Sequence, residues 1–415
     1  MKSKSICPLP WVHLATYTDG SVLPCCVAKN SMKLNLNQTS LEQSWNSAPM
    51  RELRIQLLNS EKPDVCSRCW EEEASGYKSH RLSEIEAWER LVTQEGLEKL
   101  YSSTQPDGEL EGTPLSYDLR VGNTCNLQCI MCRPQESVKW FGLAQKIQEL
   151  TEDPTLKGDM DSKLSIDRGQ YQWSESPEFW QGLRKNISSV RELIFGGGEP
   201  LIWAKHPELI EECVRSGHAS QIQLRYHTNL TVLDKDLFEL WKSFKKVEVF
   251  ASVDGLGERN FYLRHPANWE AIERNLTILE ESAPDSVLTM ILYSVHALSF
   301  YDMDLFANWL QDQKFKRVTH GFNGYFHPGL VMEPKFLSTQ VLPLSTKEKI
   351  KEKILKFESQ SLKPSHKMTG VLNYMFEKDQ SHLLPVLRDY ISLLDRVRKT
   401  SFSETFPDLA RELEI

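Results

Sequence analysis

Between about Leu115 and Tyr325 the apolar residues fall into two alternating spacings. Short runs rich in β-branched and aromatic residues predict six strands, at Ser116–Val121, Arg191–Phe195, Gln221–His227, Lys246–Val253, Ser286–Val295 and Arg317–Phe322. Between them, apolar residues recurring every three or four positions predict helices at Pro207–Arg215, Lys235–Phe244, Asn268–Ser282 and Asp302–Gln311. Strands alternating with helix-length crossovers are the pattern of a parallel α/β sheet. The first crossover is longer than such a connection needs, about 70 residues, and its polar, Asp- and Ser-rich stretch Glu152–Glu175 reads as an insertion near the mouth of the site.

The flanks differ from this core. Residues 1–97 carry five cysteines and little long-range periodicity before a helical run that begins at Leu82, which suits a small loop-rich unit organised by a metal. Within it, Thr18-Asp19-Gly20-Ser21 predicts a hairpin turn between Trp11–Tyr17 and Ser21–Leu23. Residues 98–330 form the α/β core and 331–415 a helical C-terminal extension. Ser345 with Glu348 predicts a capping box opening a helix with Ile350, Ile354 and Leu355 on its apolar face, and the lysines from Lys347 to Lys356 read as a solvated surface. Leu383–Val397 and Pro407–Leu413 continue the helical pattern.

Composition narrows the class. The 415 residues are 40% hydrophobic and 26% charged, an ordinary globular balance that excludes collagen-like and disordered chains. Forty-nine Lys plus Arg against 57 Asp plus Glu leave a net charge of -8, so no global field favours nucleic acid or an anionic membrane. No apolar run approaches the roughly 18 residues of a membrane span. The start, with Cys7, Pro8 and Pro10, does not read as a signal peptide, so a cytoplasmic, reducing location is expected. There, clustered thiols hold metal more often than they form disulfides. The nine cysteines group as Cys7, Cys25 and Cys26, then Cys66 and Cys69, then Cys125, Cys129 and Cys132, with Cys213 alone on a helix as a buried inert thiol.

Cys125-Asn-Leu-Gln-Cys129-Ile-Met-Cys132 directly follows the first core strand, where an α/β barrel builds its site at the C-terminal ends of its strands. Three thiolates spaced by three and two residues can each bind a different iron of a cubane and leave the fourth iron open. A closed zinc tetrahedron would need a fourth ligand that is not nearby in sequence.

This loop resembles the cysteine motif of the radical S-adenosylmethionine (SAM) superfamily. Phe195-Gly196-Gly197-Gly198-Glu199-Pro200, ending the second core strand, is similar to that family's Gly-Gly-Glu-Pro segment. The resemblance implies a partial (β/α)6 barrel, a 4Fe-4S cluster on Cys125, Cys129 and Cys132, and SAM chelating its open iron. It implies SAM contacts from Gly197, Gly198, Glu199 and Pro200, with Met131 near the adenine. Thr228 and Asn229 after the third strand, and Ser252 and Asp254 with Arg264 after the fourth, resemble segments that approach the SAM ribose and carboxylate. Thr228-Asn229 and Asp254-Gly255 also read as ordinary turns, and His227 as a strand-end structural histidine.

Cys7, twelve residues, Gly20, four residues and Cys25, closed by Cys66-Ser-Arg-Cys69, resemble the twitch and SPASM auxiliary-cluster modules of such enzymes. Here the module precedes the barrel, whereas in many relatives it follows. The resemblance, to twitch domain-containing radical SAM proteins, implies an auxiliary 4Fe-4S cluster on Cys7, Cys25, Cys66 and Cys69. Zinc is the alternative metal and Cys26 the alternative ligand to Cys25. The implied activity is reductive cleavage of SAM to a 5′-deoxyadenosyl radical that abstracts hydrogen from a peptide or small polar metabolite, in oxidation, epimerisation or crosslinking. A flavodoxin- or ferredoxin-type electron donor is implied with it, and neither membrane nor nucleic acid is expected as a partner. The alternative reading is a non-catalytic iron-sulfur electron carrier or metal-binding scaffold, which would have no use for Glu199 beside an open iron.

Overall fold

The computed structural model describes residues 5–29, 32–74, 78–165, 168–318, 327–360 and 366–415. Its strands are β1 (His13–Thr16), β2 (Val22–Leu23), β3 (Ser116–Arg120), β4 (Glu192–Gly196), β5 (Gln223–Thr228), β6 (Lys246–Ser252), β7 (Val287–Val295) and β8 (His327–Leu330). The chain divides into two compact units, one of residues 1–123, 167–225 and 243–246, the other of 124–166, 226–242 and 247–415. The unit boundary falls within β5. The fold is α/β with parallel strands and a helical C-terminal region, as the patterning predicts.

In the first unit, β3 runs parallel to β4 in the register Ser116↔Glu192 to Arg120↔Gly196. Four of the five β3 residues are buried in succession and β4 is buried throughout, the unbroken burial of parallel strands covered on both faces. The N-terminal hairpin does not stand apart from this sheet. β1 pairs antiparallel with β2 and, on its other edge, parallel with β3 through His13↔Ser116 to Ala15↔Asp118. A buried polar ladder crosses the strands: His13 Nδ1 lies 2.8 Å from Ser116 Oγ, which donates to Glu192 Oε2 at 2.9 Å, and Arg225 pairs with Glu192 at 3.2 Å. Gly20 turns the hairpin at φ 85°, where a side chain would also meet Trp173 at 2.8 Å. Trp173 in turn donates its indole N–H to Thr18 O at 2.9 Å. Thus the 168–175 end of the polar stretch, a 3-10 turn, folds a tryptophan over the hairpin.

In the second unit, β6, β7 and β8 are successive parallel neighbours, in the registers Val247↔Val287 to Ser252↔Leu292 and Leu292↔His327 to Val295↔Leu330. The helix Trp269–Ser282 links β6 to β7, its first turn capped by Asn268 Oδ1, which accepts from Ala271 N at 2.6 Å. The C-terminal region packs as helices Leu344–Gln360, His366–Glu377, Leu384–Arg398 and Pro407–Leu413. No helix among the described residues is long and apolar enough to cross a membrane.

Several expectations shift. The Lys235–Phe244 helix shrinks to Leu237–Trp241. Of the predicted strand Arg317–Phe322, Val318 bridges Thr289 in parallel and 319–322 lie outside the described residues; β8 follows at His327, unforeseen. The capping box does not open its helix, which starts one residue earlier at Leu344 with Lys347 N bonded to Pro343 O. Ile350 and Ile354 are buried but Leu355 is 47% exposed, because it lies about 100° further round the helix than Ile354. Nor is the lysine face wholly solvated: Lys347 is buried with Nζ donating to Gln340 O at 2.8 Å, and Lys353 Nζ lies 4.4 Å from the Tyr301 ring centroid.

One arginine ties together several separate segments near the start of the chain. Arg54, fully buried on the helix Ala48–Leu58, donates to Pro10 O, Asn46 Oδ1 and Trp45 O, each at 2.8 Å, and to Gly108 O at 3.1 Å. Its guanidinium also lies over the Trp45 ring, 4.5 Å from the centroid. Removing it strands the buried backbone carbonyls of Pro10, Trp45 and Gly108, whereas Asn46 Oδ1 keeps the Leu110 N–H. Arg54→Ala is therefore expected to destabilise the metal-free protein by about 3 kcal/mol, read as a lowered denaturant midpoint; an unchanged midpoint would show that the carbonyls find other donors.

Candidate functional site

In the second unit the loop carrying Cys125, Cys129 and Cys132 is neither helix nor strand, so its backbone groups must find partners elsewhere. They do. Gln128 N donates to His265 O at 2.5 Å and Ile130 N to Leu263 O at 2.9 Å. On the acceptor side, Leu127 O takes Ser137 Oγ at 2.6 Å, Gln128 O takes Arg398 Nη2, Cys129 O takes Trp140 Nε1 at 2.9 Å and Ile130 O takes Tyr390 Oη at 2.7 Å. Four consecutive carbonyls are thus held by four separate side chains. A tight turn, Cys132 N to Cys129 O at 3.0 Å, brings the last two thiols together.

The thiols interact with one another. A hydrogen bond from Cys132, opposed by burial and aided by the Arg264 guanidinium, draws the Cys129 thiol down to about 7. The same bond, with burial and the nearby Cys129 and Cys125, pushes Cys132 up. Arg264 Nη1 lies 3.9 Å from Cys129 Sγ and is itself oriented by Asp254, whose Oδ2 is 2.7 Å from Arg264 Nε. Asp254 Oδ1 also accepts from Ser294 N at 2.7 Å. Three ligand-type thiols, one favoured as thiolate and faced by a guanidinium, fit an iron-sulfur cluster whose thiolates leave it net negative.

The other residues singled out near this loop take definite positions. Asn229 Nδ2 donates to Asn126 Oδ1 at 2.9 Å and lies 3.9 Å from Cys125 Sγ. Thr228 Oγ1 accepts from Leu230 N at 3.0 Å in a turn where Leu230 has φ 55°, so the Thr-Asn pair is at once a turn and a neighbour of a thiol. Ser252 ends β6 half-buried, and Met131 is half-buried within the cysteine loop. His227 stacks on Phe250 with centroids 5.0 Å apart. His296, fully buried after β7, was not singled out by the sequence; its Nδ1 accepts from Leu298 N at 3.2 Å, and burial with Arg264 holds the ring neutral, at about 4.

In the first unit, β4 ends at Gly196 and the chain turns through Gly197 at φ 99°, where a side chain would press on Arg120 at 3.1 Å. Glu199, 3% exposed, caps the following turn, its Oε1 accepting from Leu201 N at 3.0 Å, and Pro200 is buried behind it. The carboxylate is therefore fixed in direction before any ligand arrives.

The first unit also gathers the N-terminal thiols. Lys29 N bonds to Val65 O at 3.1 Å, drawing the Cys25 segment to that of Cys66. Arg81 bonds Ile6 O at 2.8 Å and Glu73 Oε2 at 2.6 Å, drawing the Cys7 segment to the helix Ser67–Ala74 that carries Cys69. Burial, then the Cys66 and Cys69 thiols, push Cys7 up; burial and Cys69 push Cys66 up to about 12; and burial with Cys26, Cys7 and Cys66 raises Cys25. Thiols whose charges act on one another across these segments are of the type that binds metal. Among the described residues no three His, Cys, Asp or Glu side chains form a group that could hold a metal ion as they stand. Cys26 turns elsewhere, with Sγ 3.7 Å from His80 Nε2. Cys213 is fully buried, its thiol pushed up to about 12 by burial, the inert thiol expected.

Residues 119–296 match the model of the Radical SAM superfamily, and residues 7–70 match the SPASM model, an iron-sulfur cluster-binding domain. Among solved structures the chain is similar to Streptococcus suis SuiB bound to S-adenosylmethionine, at 13% identity and TM-score 0.37 over 75% of this chain and 64% of that one. It is similar also to native anSMEcpe with bound AdoMet, at 16% identity and TM-score 0.39 over 64% of this chain and 68% of that one. SuiB bound to its precursor peptide SuiA matches at 13% identity and TM-score 0.35 over 83% of this chain and 64% of that one. The chain thus spans 64% of the length of SuiB. No curated protein matches it.

The distinct settings of the two adjacent cysteines give a direct test. Cys25→Ala is expected to lose the metal of the N-terminal unit and Cys26→Ala to keep it, counted as iron and zinc per chain after anaerobic reconstitution. The reverse pattern would make Cys26 the ligand.

Proposed function

We propose that the chain, whose residues 119–296 match the Radical SAM superfamily and whose residues 7–70 match an iron-sulfur cluster-binding domain, is a SAM-cleaving radical enzyme with two metal centres. Cys125, Cys129 and Cys132 hold a 4Fe-4S cluster with one open iron, and Cys7, Cys25, Cys66 and Cys69 hold an auxiliary 4Fe-4S cluster, with zinc the alternative there. Bound together, cluster and SAM supply one chemistry: an electron from a flavodoxin- or ferredoxin-type donor splits SAM into methionine and a 5′-deoxyadenosyl radical, which takes a hydrogen atom from the substrate.

This chain's residues set the conditions. Arg264, aligned by Asp254, favours Cys129 as thiolate. Asn229 offers an N–H to Cys125. Gly197 and Gly198 let backbone approach the SAM amino acid moiety, and Glu199, fixed by Leu201 N–H, accepts from its ammonium. Pro200, Met131, Thr228 and Ser252 complete the SAM contacts. The observation that carries the reading is the three-cysteine loop, whose carbonyls are bonded by four separate side chains and whose central thiol faces a guanidinium.

The substrate is a peptide or a small polar metabolite. The net charge of -8 argues against a long nucleic acid. Free thiols throughout suit the cytoplasm.

Anaerobic reconstitution is expected to give about eight irons per chain, four for each cluster, and dithionite with SAM to yield 5′-deoxyadenosine. Replacing Cys125, Cys129 and Cys132 together by Ala should remove about half the iron and all cleavage; retained cleavage would overturn the reading. Glu199→Ala should weaken SAM binding, followed by titration against the reduced protein, with iron content unchanged. Unchanged affinity would remove Glu199 from the site.

A further inference from the structure

The Leu384–Arg398 helix lies beyond every motif that the function uses, yet two of its side chains reach the cysteine loop. Tyr390, fully buried, donates to Ile130 O, and Arg398, the last residue of the helix, donates to Gln128 O and, at 3.4 Å, to Tyr262 O. The two bonded carbonyls flank Cys129.

Arg398 is unusual in what it lacks. Its Nε is buried without a hydrogen-bond partner, and among the described residues no carboxylate stands within ion-pair distance of its guanidinium. Asp395, one turn back, spends its hydrogen bonds elsewhere, Oδ1 accepting from Thr400 Oγ1 at 2.9 Å and Oδ2 from Phe402 N at 2.7 Å, so its charge acts on Arg398 only without a direct bond. Arg264, by contrast, has Asp254. A half-buried guanidinium bonded only to carbonyls, with its Nε shut off from water, is stabilised by a negative charge beside it. Its bond to Gln128 O sets the guanidinium one residue from Cys129 on the cysteine loop.

We propose that Arg398 is the countercharge of the iron-sulfur cluster on Cys125, Cys129 and Cys132, and that the Leu384–Arg398 helix is a working part of that site, with Tyr390 securing the loop and Arg398 raising the cluster's reduction potential. The inference rests on the cluster assignment above. A fixed positive charge beside the cluster stabilises its reduced, more negative state, so the potential rises. Bonded to the carbonyls of Gln128 and Tyr262, Arg398 is a positioning residue that acts through the loop and through its field.

The test is a redox titration of the full-length, reconstituted protein, following the electron paramagnetic resonance signal that changes on adding SAM. Arg398→Gln, which keeps donors but not charge, should move that signal's midpoint to a more negative value. Arg398→Lys, which keeps the charge, should stay close to the parent. Tyr390→Phe should leave the midpoint in place but speed amide exchange across 126–132 in the metal-free protein. An Arg398→Gln protein with its iron retained and its midpoint unmoved would overturn the proposal. If Arg398→Gln fails to fold, a Lys variant whose midpoint falls as Arg is lost would also overturn it, because the charge is still there. Absence of iron on the three cysteines of the unsubstituted protein is a different result: it would overturn the cluster assignment and this inference with it.

Discussion

A loop that presents three thiols to one cluster cannot also be a regular element, because a strand would turn residue 132 to the face opposite 125 and 129, and a helix, though it puts all three on one side, would spread them over roughly 10 Å of its length. Its backbone must therefore borrow hydrogen bonds. The carbonyls of residues 127–130 are taken up by Ser137, Arg398, Trp140 and Tyr390, and the amides of Gln128 and Ile130 by the carbonyls of His265 and Leu263. Much of the second unit answers to this requirement. Trp140 opens the helix after the loop, residues 263–265 close the helix Gly257–Leu263 and include Arg264, and the Leu384–Arg398 helix contributes Tyr390 from its middle and Arg398 from its end. Buried carbonyls left without donors cost more than the bonds themselves return, so each supporter is structurally committed.

The first unit meets a related constraint differently. Its four ligand-type thiols lie on three chain segments, and Arg81 and Arg54 fasten those segments to their neighbours. A guanidinium suits this work, since it offers five donors in a rigid plane and can serve several carbonyls at once. The hairpin gains further support from the sheet edge, where β1 lies along β3, and from Trp173 over its turn.

How far the sequence disclosed this depends on the range of the interaction. The strands from Ser116 to Val295 were legible because burial on both faces leaves a local apolar signature, and the cysteine spacings because ligand geometry is written within eight residues. Helix ends were less so: Ser345 and Glu348 have the letters of a capping box, but Pro343 and Leu344 begin the helix first. Leu355 looked like core because periodicity alone does not say where an apolar stripe ends. Arg54, Arg398 and Tyr390 were invisible for a simpler reason. An arginine or tyrosine that serves a carbonyl dozens or hundreds of residues away carries no local pattern, and its role exists only once the chain has folded. Asn229 stands between these cases: its sequence neighbourhood suggested both a turn and a ligand contact, and the structure has it making the turn while facing a cysteine.

The separation between the cysteine loop and its last supporters has a consequence in time. Ile130 and Tyr390 are 260 residues apart, and Gln128 and Arg398 are 270. On the ribosome, at roughly 5–20 residues per second, the three cysteines emerge many seconds before the helix that clasps them is made. During that interval they belong to a loop lacking two of its donors, reactive and open to any metal or oxidant in the vicinity. Orderly assembly therefore favours delivering iron to the completed chain, and the arrival of the Leu384–Arg398 helix marks the moment at which the nascent protein becomes a proper recipient.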